Sequence, residues 1–427
     1  MIRLLFLFVL SIFASIRCFA AISLEYCLQR AEENYPAIKK FGLLDNATEL
    51  NLTEINRGWL PSIGLSAQGN VQNIVPAFPA VLRNMLSQNG FELKGMSKLQ
   101  YKVAAELNQT LWDGGASKAN RAIERASLAE SKAALDVELY AIRSQVESLY
   151  FGILLIQEQL KQTESTIALL AANLQRIESM VRNGTAMQTD ADMVEAQCLA
   201  LKQTLATARS AMEGYRDVLA IYIGEDISGI ELTCPDAVMP ESTGTARPEL
   251  ELFDRQIEHN RALENAINTS VMPRVGFFAQ AYYGYPGYNY FESMTNRKLS
   301  FNIMAGLKVS WNIDGFYTRN LKHAKLRLSA DIIDTNRDTF LFNNRIQTVR
   351  EENEITAIRE VITNDARIVE LRQNVRRGAE SQLRNGIIDA TDLLSKINDE
   401  NQAKLNAAYH QIQLVQNIYK LKNTLNR

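Results

Sequence analysis

The sequence predicts a mainly α-helical fold with a small β part, built as two copies of one plan: a pair of long helical hairpins and four strands. Three observations predict it. Apolar residues recur at alternating steps of four and three along a proline-free stretch, the mark of helices packed as coiled coils. Four shorter stretches alternate apolar and polar residues with period two. A set of landmarks recurs in one order about 200 to 212 residues later, which marks an internal duplication.

Taken in order, the chain opens with Arg3 ahead of an apolar run from Leu4 to Ile12 and small residues at Ala20 and Ala21. This is the layout of a secretory signal peptide over residues 1–20, so export is expected. Lipid attachment at Cys18 is the competing reading, with Arg17 standing just before it. The first repeat then covers 21–235, a linker 236–247, and the second repeat 248–427. Each repeat reads as helix, strand, loop, strand, long helix, tight turn and returning helix.

Tyr35-Pro36 begins a helical stretch that ends at Leu60-Pro61, and Arg247-Pro248 begins one that ends at Met272-Pro273, the two proline pairs being equally spaced. Strands follow. Ile63, Leu65 and Ala67 share a face, as do Val275, Phe277 and Ala279. From Leu99 one face holds Tyr101, Val103, Ala105 and Leu107, and the other Gln100, Lys102, Ala104, Glu106 and Asn108. From Leu299 the apolar face runs through Phe301, Ile303, Ala305, Leu307, Val309 and Trp311. With tyrosines clustered at Tyr282, Tyr283, Tyr285, Tyr288 and Tyr290, strands of this length fit a transmembrane β-barrel with interfacial aromatics. Lys102, Glu106 and Lys308 would line its lumen. The segments 70–97 and 284–297 read as outward loops. Four strands cannot close a barrel in lipid, where each unpaired backbone group costs several kcal/mol, so oligomerisation is required.

Each second strand ends at a corner, Asp113-Gly114-Gly115 or Asp314-Gly315-Phe316. Glycine lets the backbone leave the strand and aspartate caps the helix that follows. The first long helix reads from Ala116 to Arg182, with a seam at Leu135, Leu139, Ile142, Val146, Leu149, Ile153, Ile156 and Leu160, then Ile167, Leu170, Leu174, Ile177 and Val181. At 1.5 Å per residue it is about 100 Å long. Arg182-Asn183-Gly184 turns the chain, and Arg384-Asn385-Gly386 does so after a second, more polar helix over about 317–383, because glycine and asparagine tolerate positive φ. Asp190 and Asp392 each stand six residues past a turn glycine.

Composition excludes several functions. A net charge of −2 with no basic run gives no nucleic-acid surface. Three scattered histidines, His259, His323 and His410, support neither acid–base catalysis nor a metal site, and Asp190-Ala191-Asp192 lacks a calcium-loop pattern. No nucleotide-binding loop is present and no cofactor is implied. After signal removal Cys27, Cys198 and Cys234 remain, an odd number without the spacing of a disulfide framework or a zinc site.

The Pro-bounded strand starts, the Asp-Gly corners, the Arg-Asn-Gly turns and the aspartates after them, in this order and twice over, resemble the TolC-type outer membrane efflux protein family across nearly the whole mature chain. The resemblance implies a homotrimer whose twelve strands form one barrel in outer membrane lipid, continuous with a periplasmic α-barrel of twelve helical segments. It implies docking by the turns Arg182, Asn183, Gly184 and Arg384, Asn385, Gly386 to a periplasmic adaptor protein served by an inner membrane transporter. It also implies an acidic periplasmic gate, with Asp392, and Asp190 beside it, as candidates. Where the family has a second aspartate three residues later, this chain has Ser395 and then Lys396. A soluble periplasmic coiled-coil scaffold or adaptor is the alternative from a different class; it would show one hairpin flanked by small β domains.

Overall fold

In chain order, the computed structural model contains α1 (Leu24–Asn34), a 3-10 turn (Pro36–Ile38), α2 (Lys39–Arg57), β1 (Ser62–Val71), α3 (Ala80–Gln88), β2 (Leu99–Trp112), α4 (Ala116–Arg182) and α5 (Gln188–Ile223). The second half follows with α6 (Pro248–Thr269), β3 (Arg274–Tyr285), α7 (Tyr290–Asn296), β4 (Ser300–Ser310), α8 (Gly315–Arg384) and α9 (Ala390–Leu425). The structure describes residues 22–90, 95–240 and 244–426. The signal-peptide reading over 1–20, with Cys18, lies outside them. Helix α1, opened by Ser23 accepting from the Tyr26 N–H, was not expected and has no counterpart among the described residues of the second half. The two segments read as loops each hold a short helix, α3 and α7. Space divides the chain differently from sequence, because each repeat contributes to both of two units: Met1–Phe41, Ala133–Leu252 and Asn336–Arg427 in one, Gly42–Lys132 and Phe253–Thr335 in the other.

The second of these units holds a four-stranded antiparallel sheet in the order β1-β2-β3-β4. Its register collects the alternation of all four strands onto common faces: Leu65 stands beside Ala105, Ala281 and Ile303, and Ala67 beside Val103, Tyr283 and Phe301. Next along the strands toward the loops, on the other face, lie Gln68, Lys102, Gly284 and Ser300. A bulge between Thr110 and Trp112 turns Trp112 onto the apolar face, opposite Val275. At the corner, Gly114 and Gly115 take positive φ, and a Cβ on Gly114 would stand 2.6 Å from that of Met272. The Asp113 carboxylate accepts from the N–H groups of Gly115 and Ser117 at 2.9 and 2.6 Å and so caps α4. The second corner is built otherwise. Gly315 has no positive φ, and Asp314 turns the chain through its carbonyl, which accepts from the Tyr317 N–H at 3.0 Å, its carboxylate taking no hydrogen bond among the described residues. Polar contacts lace the helices that flank the sheet, among them Lys132–Asp45 at 2.6 Å and Arg319–Asn268 at 2.7 Å.

The other unit is helical. The α4 seam is its spine, with Val146, Ile153 and Leu170 fully buried and Leu135, Leu139, Ile142, Leu160 and Ile177 nearly so. One cluster joins α4 to α1, α5 and α9, and a second joins it to α5, α8 and α9. Gly152 makes room for the Tyr215 ring, which a Cβ there would meet at 2.8 Å. Cys27 and Cys198 are buried and Cys234 exposed, all three free.

Two carboxyl groups are buried here, Glu147 of α4 and Glu351 of α8, only 7% and 3% exposed. Glu351 accepts from Gln347 at 2.7 Å and Thr424 at 3.0 Å through one oxygen. Burial raises Glu351 and pushes Glu147 up to about 8, against the opposing pull of Arg143 and an Asn423 hydrogen bond on Glu147. An unfolded glutamate titrates at an ordinary 4.5. Glu147 is therefore neutral in both states below that pH, and between it and about 8 only the unfolded chain releases the proton, so stability falls as pH rises across this window. Glu147→Gln is expected to unfold at a higher temperature than wild type at pH 8 and at nearly the same temperature at pH 4.5, checked by thermal melts followed by circular dichroism.

Candidate functional site at the hairpin turns and on the two-faced sheet

The two turns are the same piece of stereochemistry. Gly184 and Gly386 take φ of 73° and 67°, and each closes a Schellman motif. The Thr185 N–H bonds to the Met180 carbonyl and the Gly184 N–H to that of Val181, both at 2.9 Å; Ile387 to Gln382 and Gly386 to Leu383 repeat this at 2.9 and 3.0 Å. Asn183 and Asn385 do not share the positive φ expected of them, so glycine alone makes the reversal. Arg182 and Arg384 are the last residues of α4 and α8, where a cation suits the helix dipole.

The aspartates beyond the turns differ. In the first hairpin Met187 precedes α5 and offers no oxygen to cap it, and the Asp190 carboxylate reaches back to accept from the Met187 N–H at 3.0 Å. In the second hairpin the corresponding position is Asp389, which caps α9 by accepting from the Asp392 N–H at 2.9 Å. That leaves the exposed Asp392 carboxylate without a hydrogen-bond partner among the described residues. Asp190 is thus committed to its own helix, whereas Asp392 is not. Asp192 accepts from Gln188 at 2.8 Å, and no cluster of ligands for a metal exists among the described residues.

Beneath the turns, Leu170, Ile177, Val194, Leu393 and Ile397 bring both hairpins into one cluster, and the Thr391 hydroxyl donates to the Met193 sulfur at 3.4 Å. A buried ionic knot, unread in the sequence, then clamps α8 to α9. Arg376 donates to Glu400 and Glu380, and Lys404 stands 2.7 Å from Glu400. Burial alone would raise Glu400, yet the hydrogen bonds from Lys404 and Arg376 hold it below the usual carboxylate range. Arg376 and Glu380 are visible in sequence as a pair four apart, but Glu400 joins them only through the packing of two helices. Asp389 had a signal, an aspartate three residues ahead of an acidic first turn.

The sheet's apolar face is bare. Ile63, Leu65, Ile303 and Leu307 are between 64% and 82% exposed, and β1 is exposed along its whole length. Aromatics bound this face at both ends, Tyr101, Tyr283 and Phe301 beside the loops and Trp112 and Trp311 beside the helices. The ten residue steps from Phe301 to Trp311 span about 33 Å along the strand, or about 25 Å of membrane thickness at the tilt of a barrel strand. No helix among the described residues is long and apolar enough to cross a membrane.

Comparison with known proteins gives a consistent result. Residues 27–225 match the family model described as outer membrane efflux protein. The chain is 24% identical over 345 residues to the multidrug resistance outer membrane protein MdtP of Escherichia coli O157:H7, covering 73% of this chain and 68% of that protein. Among solved structures it is similar to the outer membrane protein VceC of Vibrio cholerae, with a TM-score of 0.68, 10% identity and coverage of 94% and 95% of the two chains. It is likewise similar to the Campylobacter jejuni CmeC outer membrane channel, at a TM-score of 0.65, 13% identity and coverage of 94% and 85%. Residues 27–225 are thus similar to outer membrane efflux proteins, and the fold of the chain is that of solved outer membrane channels.

Proposed function

We propose that three copies of this chain close into a passive exit duct: one twelve-stranded barrel in the outer membrane, continuous with a periplasmic barrel of twelve helical segments. The single observation that carries this reading is the bare, in-register apolar face of a sheet whose two end strands, among the described residues, are paired on one side only. A soluble scaffold would leave that face in water, whereas a barrel puts it in lipid and pairs both edges between copies. Helix α8 supports the same arrangement. Its Phe342, Ile346 and Val349, then Ile368, Leu371 and Val375, form exposed stripes at coiled-coil spacing, between 45% and 66% exposed, ready for a neighbouring copy's helix.

In this duct the turns at Arg182, Asn183 and Gly184 and at Arg384, Asn385 and Gly386 are the ends that meet a periplasmic adaptor, and an inner membrane transporter supplies the energy. Kinship to a protein named for multidrug resistance favours small-molecule efflux over polypeptide secretion. The chain's role is conduction, and chemistry is left to none of its residues. Asp392, uncommitted to capping, contributes one carboxylate per copy to an anionic ring at the periplasmic entrance, which favours cations.

Planar-bilayer recordings test both levels. Purified wild-type protein is expected to give discrete ion-conducting events, and a membrane that stays silent over repeated insertions rules out the duct. Asp392→Asn is expected to lower the cation-over-anion permeability ratio several-fold. Asp190→Asn should leave that ratio unchanged, since its carboxylate serves the helix start; an equal effect of both substitutions would remove Asp392 from the gate.

A further inference from the structure

We propose that the polar face of the sheet carries, at its loop end, a binding pocket for an anionic aromatic small molecule, one per chain. Its place inside a lumen rests on the duct reading above; its chemistry does not. The segment after β3 folds back over the polar face and does not extend away from the sheet. The Tyr288 N–H donates to the Asn302 side-chain oxygen at 2.9 Å and its hydroxyl to the Gln280 side-chain oxygen at 3.3 Å. The Tyr288 ring meets Tyr282 edge to face, 5.1 Å between centroids at 88°. Gly287 is required by the fold-back, because a Cβ there would lie 2.2 Å from the Ser300 hydroxyl. Both loops are fastened in this position: the Tyr285 hydroxyl donates to the Ser293 carbonyl and accepts from the Ser97 N–H, each at 2.9 Å, and Arg297 donates to the Gly95 carbonyl at 2.9 Å.

The fold-back borders a half-open pocket of about 310 Å³, lined by Gln68, Asn70, Gln100, Lys102, Tyr282 and Tyr288 among others. Its lining contains one cation and no carboxylate. The half-buried Lys102 ammonium stands 5.6 Å from the centroid of the Tyr282 ring and has no ion-pair partner among the described residues. Glu106, the acid next along the same face of β2, lies outside the cavity and accepts from Gln280 at 2.7 Å. An ammonium set among amides, phenol groups and ring faces attracts an anion, and the two tyrosine rings offer apolar area and edges to an aromatic body. The volume suits a ligand of one or two rings bearing a carboxylate.

Equilibrium dialysis of the purified full-length protein against 2-naphthoate and its neutral analogue 2-naphthamide tests the pocket. Naphthoate is expected to bind wild type roughly tenfold more tightly than naphthamide, the factor that a charge-assisted hydrogen bond gives. Lys102→Gln should abolish that preference, while Lys308→Gln, on the same face at the helix end of β4, should keep it. Equal affinities in wild type, a preference that survives Lys102→Gln, or one that vanishes equally in Lys308→Gln would each overturn the pocket. Protein that conducts ions yet shows no preference sinks the pocket alone; silent bilayers with an intact preference sink the lumen placement and leave the pocket standing.

Discussion

Everything in this structure depends on an unmet requirement of the sheet. Antiparallel pairing satisfies β2 and β3 on both sides, but β1 and β4 each present an outer edge of unpaired backbone groups. In water such an edge is a liability; in hydrocarbon it is prohibitive, at several kcal/mol for each group. The bare apolar face adds a second demand, because residues such as Leu65, at 82% exposed, gain nothing from the fold of one chain. In the proposed duct lipid covers the face, and further strands complete the edges.

The helical unit answers its own needs more fully along one helix than the other. Helix α4 buries its seam against α1, α5 and α9 within the chain, whereas α8 buries only Thr348, Glu351, Ile355 and Ala379. The two hairpins share their turn geometry but cap their returning helices differently. Where the first hairpin has Met187 the second has the oxygen-bearing Asp389, so capping there does not fall to the third residue of the helix. A single residue at a helix start thus separates an aspartate held by its own helix from one whose carboxylate is not.

Periodic features were the legible ones. The ends of α4 fell where a corner glycine and a turn glycine put them, and the two faces of the sheet followed from period two, since one register assembles what each strand already encodes. The helices α3 and α7 were hidden, because nine and seven residues are too few to display a period above turn-forming neighbours. So was the cap at Asp314, where backbone hydrogen bonding replaced the side chain that the parallel with Asp113 suggested. The ionic knot of Arg376 and Glu400, the buried pair Glu147 and Glu351, and the fold-back of Tyr288 depend on which elements meet, and no local pattern announces a meeting.

The duct exists only if several chains satisfy the open edges together. Native mass spectrometry of the full-length protein, extracted from membranes and released from detergent or nanodiscs in the mass spectrometer, counts them directly. A dominant species of three chains is the predicted result. A dominant single chain, with β1 and β4 protected from amide hydrogen exchange as strongly as β2 and β3, would show that one copy closes its own sheet and would contradict the account.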